Sequence, residues 1–298
     1  MATDEPPIGR PYEVGGTRLV LHRAGEGGPA VVFLPGAGLV GLDFWAVHER
    51  AAARTTSVLY DRAGTGWSDP VDLPRGTDAV TDELRALLHT AGVPGPYVLV
   101  GHSLGGSYAR RFAQRFGADV AGLLLVDPGY EDAMDHLPAD VAEIFERMRR
   151  DRDAGTLPEP TAEQLAASRA PLAALYAEWP EPLRAALVEY HVRHWRTGLA
   201  EAANFEDVVH DELRRGGPLP DVPMTVLTCG GANPYWAQVM SPEAMRAALD
   251  GVRAGHAALA ASVPRGVQRV LPDAHHQYVQ AQQPDAIRDA LDDLLARI

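Results

Sequence analysis

The chain has 298 residues, too many for a small cross-linked scaffold and close to the upper size of one cored domain. Hydrophobic residues make up 46% and charged residues 22%, the balance of a folded globular chain, which excludes wholesale disorder. Its 27 basic and 40 acidic residues leave a net charge of −13, which disfavours nucleic acids and anionic membranes, because such polyanions are held by clustered Lys and Arg.

The start, Met1 to Pro7, is acidic and Pro-rich and lacks the basic and apolar segments of a signal peptide. Apolar runs follow at Thr17–Leu21, Ala30–Leu34 and Thr56–Tyr60. The second opens into Pro35-Gly36-Ala37-Gly38, then Phe44-Trp45. The third opens into Asp61-Arg62-Ala63-Gly64-Thr65-Gly66-Trp67-Ser68. A helical pattern over Ala79–Ala91 leads to a run at Tyr97–Val100, which ends in Gly101-His102-Ser103-Leu104-Gly105-Gly106. After a helical pattern over Ser107–Phe116, the run Gly122–Val126 ends in Asp127-Pro128-Gly129. Most runs are continuously apolar, as strands must be when helices cover both faces of their sheet. Alternating strand and helix predicts a doubly wound α/β sheet.

From 130 to 220 this alternation stops. Helical patterns follow one another at Ala139–Arg152, Thr161–Trp179, Pro182–Trp195 and Leu199–Arg214, punctuated by prolines. An insertion of this size predicts a helical cap over one end of the sheet. Its aromatics, among them Trp179 and Trp195, either line a pocket or pack the cap onto the core. Strands resume at Met224–Thr228, before Gly230-Gly231-Ala232-Asn233-Pro234-Tyr235-Trp236, and at Val267–Leu271, before Pro272-Asp273-Ala274-His275-His276. Tyr235 and Trp236 are further candidates for a pocket wall. No run approaches the roughly 20 apolar residues of a membrane span. The one cysteine, Cys229, allows neither an intrachain disulfide nor a Cys-based zinc site. A cytoplasmic location is the expectation.

The chemistry concentrates at Gly101-His102-Ser103-Leu104-Gly105, a G-x-S-x-G between a strand and a helix. Such a serine sits on a sharp turn, and side chains two residues before and after it would collide, so both places need glycine. The helix that follows favours negative charge developing at the nucleophile. An oxyanion hole then takes one amide from the residue after the serine, Leu104, and one from the Pro35–Gly38 loop, assigned to Ala37.

Together these stretches resemble the α/β-hydrolase superfamily, in particular its capped esterase- and lipase-like serine hydrolases. The resemblance implies an eight-stranded, mostly parallel sheet with a helical cap after the sixth strand. The core is then 1–129 and 221–298, and the cap 130–220. It also implies the chain order serine, acid, histidine. His276, registered from the last strand, takes the base position, with His275 as the alternative. The acid departs from the commonest pattern: the loop after the penultimate strand offers Asn233, which carries no charge to stabilise an imidazolium. Asp127, at the end of the neighbouring strand, is assigned instead, ahead of Asp273. Arg62 and Asp61 are expected to serve turns and ion pairs.

The expected reaction is ester hydrolysis of a small molecule through an acyl-enzyme, with no cofactor and no metal. A serine nucleophile argues against the dehalogenase and epoxide-hydrolase relatives, which attack through a carboxylate. The alternatives are a C–C bond hydrolase or lactonase using the same serine, or a non-catalytic ligand-binding protein on a degenerate scaffold.

Overall fold

The structure, a computed structural model, describes residues 5–156, 159–233 and 236–298. Eight strands form one sheet: β1 (Arg10–Val14), β2 (Thr17–Ala24), β3 (Ala30–Leu34), β4 (Ser57–Tyr60), β5 (Tyr97–His102), β6 (Val120–Val126), β7 (Met224–Cys229) and β8 (Gly266–Leu271). Their order across the sheet is β1-β2-β4-β3-β5-β6-β7-β8. The β1–β2 and β2–β4 pairs are antiparallel, and every pair from β4 to β8 is parallel. The expected eight-stranded, doubly wound sheet is therefore present.

Helices α1 (Trp45–Ala52), α2 (Thr77–Thr90) and α3 (Leu104–Arg115) connect the early strands. Side chains alternate across each strand, and the core divides accordingly. In β3, Val31 and Phe33 pack with Val47 and Ala51 of α1, while Val32 and Leu34 pack with Leu84 of α2 and Phe112 of α3. β3, β4 and β5 are buried along their whole length, which is why they read as unbroken apolar runs. β8 is an edge strand, and its Val267 and Val270 are exposed.

Between β6 and β7 lie only helices among the described residues: α4 (Ala139–Asp153), α5 (Ala162–Ala167), α6 (Arg169–Leu175), α7 (Glu181–Arg193), α8 (Thr197–Glu201) and α9 (His210–Arg215). The single helix expected over Thr161–Trp179 is instead two short ones, broken at Ser168, whose hydroxyl donates to the Leu165 carbonyl. The pattern over Leu199–Arg214 is likewise interrupted, by a 3-10 turn at Ala202–Asn204 and a π-helical turn at Phe205–Val209. After β7 come α10 (Pro242–Ala261), then β8, α11 (Val279–Gln282) and α12 (Pro284–Leu295). Ile287, Ala290, Leu291 and Leu294 of α12 complete the core on the α1 face. Among the described residues, no helix is long and apolar enough to cross a membrane.

Candidate active site

β5 runs directly into α3, and Ser103 forms the corner with φ 51° and ψ −121°. This is a costly conformation for a residue with a side chain, and the packing around it enforces it. Its amide donates to the Val126 carbonyl at 3.1 Å, and its carbonyl accepts the Gly106 amide at 2.9 Å. A Cβ on Gly101 would stand 2.5 Å from the Gly105 carbonyl oxygen, and one on Gly105 would strike the Leu34 and Pro35 carbonyls. Both glycines are thus required by close backbone approach, as the motif predicts.

The structure brings Ser103, His276 and Asp127 together. His276 Nδ1 donates to Asp127 Oδ2 at 2.6 Å, which leaves Nε2 to accept the Ser103 hydroxyl at 3.0 Å. Asp127 ends β6 in a left-handed conformation, φ 45°. Its Oδ1 accepts the Cys229 amide at 2.8 Å. Burial alone would raise the Asp127 pKa, but the hydrogen bond and charge of His276, with smaller help from His256 and the Cys229 amide, hold it below the ordinary value.

Two further histidines, His102 next to Ser103 in the turn and His256 on α10, brace this arrangement. His102 Nε2 donates to the main-chain carbonyl of His276 at 2.9 Å, and burial followed by the charge of His276 lowers its pKa to about 3. It therefore stays neutral, in the tautomer that supports the His276 backbone. His256 Nε2 donates to the Pro128 carbonyl at 2.9 Å, and its Nδ1 accepts the Thr228 hydroxyl at 3.0 Å. Burial also lowers the His256 pKa, and its ring flanks Asp127 at 3.8 Å. Only position offered a signal, His102 lying inside the G-x-S-x-G turn.

His275 turns the other way, and a Cβ on Gly231 would lie 2.8 Å from its Nδ1. Asp273 is exposed. Asn233 sits in the loop after β7, where its main-chain carbonyl accepts the Ala237 amide at 3.0 Å.

The loop after β3 closes as a turn, with the Leu39 amide donating to the Gly36 carbonyl at 3.2 Å and Gly38 at φ +73°. A Cβ on Gly36 would stand 3.3 Å from Ser103 Cβ, so the loop lies against Ser103. Ala37 is the second residue of the turn, which leaves its amide outside the turn's own bond. Leu104 is the first residue of α3, where helix geometry provides no acceptor for an amide. Among the described residues, no protein acceptor takes the Leu104 or Ala37 amide.

The candidate pocket residues are dispersed. Trp179 is buried against Tyr176, and its Nε1 donates to the Leu42 carbonyl at 2.9 Å. Half-buried Trp195 lies beneath Arg196, and Trp236 meets Phe145 of α4 edge-on at 4.9 Å. Tyr235 lies outside the described residues.

Residues 31–290 match the family described as the Alpha/beta hydrolase family. An uncharacterized protein of Schizosaccharomyces pombe is 44% identical over 75 residues, which are 25% of this chain and 14% of that one. An uncharacterized protein of Bacillus subtilis is 26% identical over 123 residues, 41% of this chain and 38% of that one. The chain thus spans well under half the length of these relatives. Among solved structures, a thermophilic esterase from Thermogutta terrifontis superposes with a TM-score of 0.61 at 22% identity, covering 96% of each chain. A meta-cleavage product hydrolase superposes with a TM-score of 0.64 at 16% identity, covering 98% of this chain and 99% of the other. At such identities these structures show the fold. The chain belongs to the alpha/beta hydrolase family.

Proposed function

We propose that the protein is a serine hydrolase that cleaves carboxylic esters of small molecules through an acyl-enzyme. The observation that carries this reading is the continuous hydrogen-bonded line from Asp127 through His276 to the Ser103 hydroxyl. His276 takes the hydroxyl proton as Ser103 attacks the ester carbonyl. The oxyanion that forms is received by the amides of Leu104 and Ala37. His276 then gives its proton to the departing alcohol. In the second half it takes a proton from water, whose oxygen attacks the acyl carbon; the acyl–Ser103 bond breaks to free the acid, and His276 returns its proton to the Ser103 oxygen. Asp127 fixes the tautomer and stabilises the imidazolium. No step draws on a cofactor.

The insertion at 130–220 serves, in this reading, as a cap on a core formed by 1–129 and 221–298. Trp195 of the insertion and Trp236 of the core, both half-buried, are candidate aromatic walls for an acyl or alcohol group. The esterase among the fold relatives agrees with ester chemistry, while the meta-cleavage product hydrolase keeps C–C cleavage within reach of the same fold.

The test is turnover of short and long p-nitrophenyl esters, lactones, amides and meta-cleavage-type diketones by the purified protein and by Ser103→Ala. Ester turnover should dominate, and Ser103→Ala should lower kcat by about 10⁶-fold. Lactone or C–C turnover with esters untouched would move the reading to that chemistry.

A further inference from the structure

α8 comes from the insertion, yet it packs on the turn that holds Ala37. A Cβ on Gly198 would lie 3.3 Å from the Ala37 carbonyl oxygen and 3.4 Å from Gly38 Cα. At the end of the same helix Glu201 is 3% exposed, and it faces Arg62, which is 1% exposed. Arg62 Nε donates to Glu201 Oε1 at 2.9 Å and Nη2 to Oε2 at 3.0 Å. Two more guanidinium donors go to the turn itself: Nη1 to the Pro35 carbonyl at 2.7 Å and Nη2 to the Gly36 carbonyl at 3.0 Å. Glu201 Oε2 also accepts the Gly38 amide at 2.7 Å. The peptide units of residues 35, 36 and 38 are therefore each tied to one buried ion pair, and Ala37 is bracketed between them.

A buried ion pair is a poor source of stability, because desolvating both charges offsets most of their attraction. It is an effective source of geometry, since a planar guanidinium and a carboxylate fix their partners in direction as well as distance. An oxyanion donor needs that fixity, because its contribution depends on being aimed before charge develops.

We propose that Arg62 and Glu201 form a positioning pair for the Ala37 amide, so that the oxyanion hole is assembled only when α8 is seated on the Pro35–Gly38 turn. This inference rests on the proposed acyl-transfer reading. Neither side chain is a catalytic residue, since both act through the main chain of the turn. Displacing α8 would remove the acceptor of the Gly38 amide and, with it, the carboxylate that orients Arg62.

The test compares a p-nitrophenyl ester with its thionoester, in which sulfur replaces the carbonyl oxygen. Sulfur accepts hydrogen bonds weakly and so gains little from a well-aimed amide. Glu201→Gln keeps the shape and one acceptor oxygen but loses the charge. It should lower kcat on the ester by about 10- to 100-fold, a part of the loss on deleting an oxyanion donor outright. Turnover of the thionoester should change by less than about 3-fold, with KM for both little altered. Gly198→Val, which presses on the Ala37 carbonyl without touching the ion pair, should give the same selective loss and serves if Glu201→Gln folds poorly. Equal losses on the two substrates, or no loss on either, would overturn the proposal. A wild-type protein that turns over neither substrate would instead overturn the acyl-transfer reading beneath it.

Discussion

Asp127 is the residue on which sequence pattern and geometry had most to settle. The commonest acid position in this superfamily holds Asn233, and the assignment of Asp127 follows from its place at the end of β6. In the structure it is Asp127 that meets His276 Nδ1 at 2.6 Å. Asparagine there would leave the ring without a charge to fix its tautomer. Asp127→Asn should therefore lower kcat by about 10⁴-fold, whereas Asn233→Ala should stay near wild type. Steady-state rates of the two variants on one ester decide this, and a near wild-type Asp127→Asn would contradict the assignment. Ser103 and His276 were legible as candidates because a serine inside a G-x-S-x-G turn and a histidine after the last strand leave positional marks. The contacts of His102, His256, Gly198 and Glu201 were not, because they are made with neighbours far away in the chain. Glu201, for instance, bonds Arg62, 139 residues earlier.

At the scale of elements, strands buried on both faces were the easiest to read. β1 was missed: its Arg10-Pro11-Tyr12-Glu13-Val14 sequence is polar, carries a proline, and lies at the edge, where only β2 pairs with it. The helices of the insertion were found, but their breaks were not, since a 3-10 or π-helical turn leaves the apolar period almost unchanged. The turn between β5 and α3 is the most constrained element. Gly105→Ala should cost about 3 kcal/mol, because the clash is with main-chain oxygens of Leu34 and Pro35 that cannot move aside. For a chain of 298 residues that corresponds to a fall of roughly 5 °C in Tm. Calorimetry of the variant checks this, and an unchanged Tm would mean that β3 and α3 are packed less closely than described.

At the scale of the whole molecule, stability should depend on pH through histidines kept neutral by burial. His48 on α1 is 1% exposed, its Nδ1 lies 2.7 Å from the Ser57 hydroxyl, and burial, aided by His22, lowers its pKa to about 3. Below the ordinary histidine value of about 6.5 the unfolded chain takes up a proton that the folded one refuses. The contribution of His48 is thus complete above that value and is lost progressively as pH falls toward about 3. Urea unfolding between pH 6 and 4 should show a slope of stability against pH that is smaller in His48→Asn by up to about 1.4 kcal/mol per unit. Relief of the net charge of −13 on acidification acts on both proteins alike, so the difference isolates the histidine. Matching slopes would contradict its burial as a neutral ring. The proposed chemistry depends on one oxygen, that of Ser103, being a nucleophile. The most direct measurement is mass spectrometry of the protein after exposure to a fluorophosphonate. One adduct per chain is expected, on the peptide carrying Ser103, lost in Ser103→Ala and much slowed in His276→Ala. An unmodified Ser103, or labelling as fast without His276 as with it, would contradict the account.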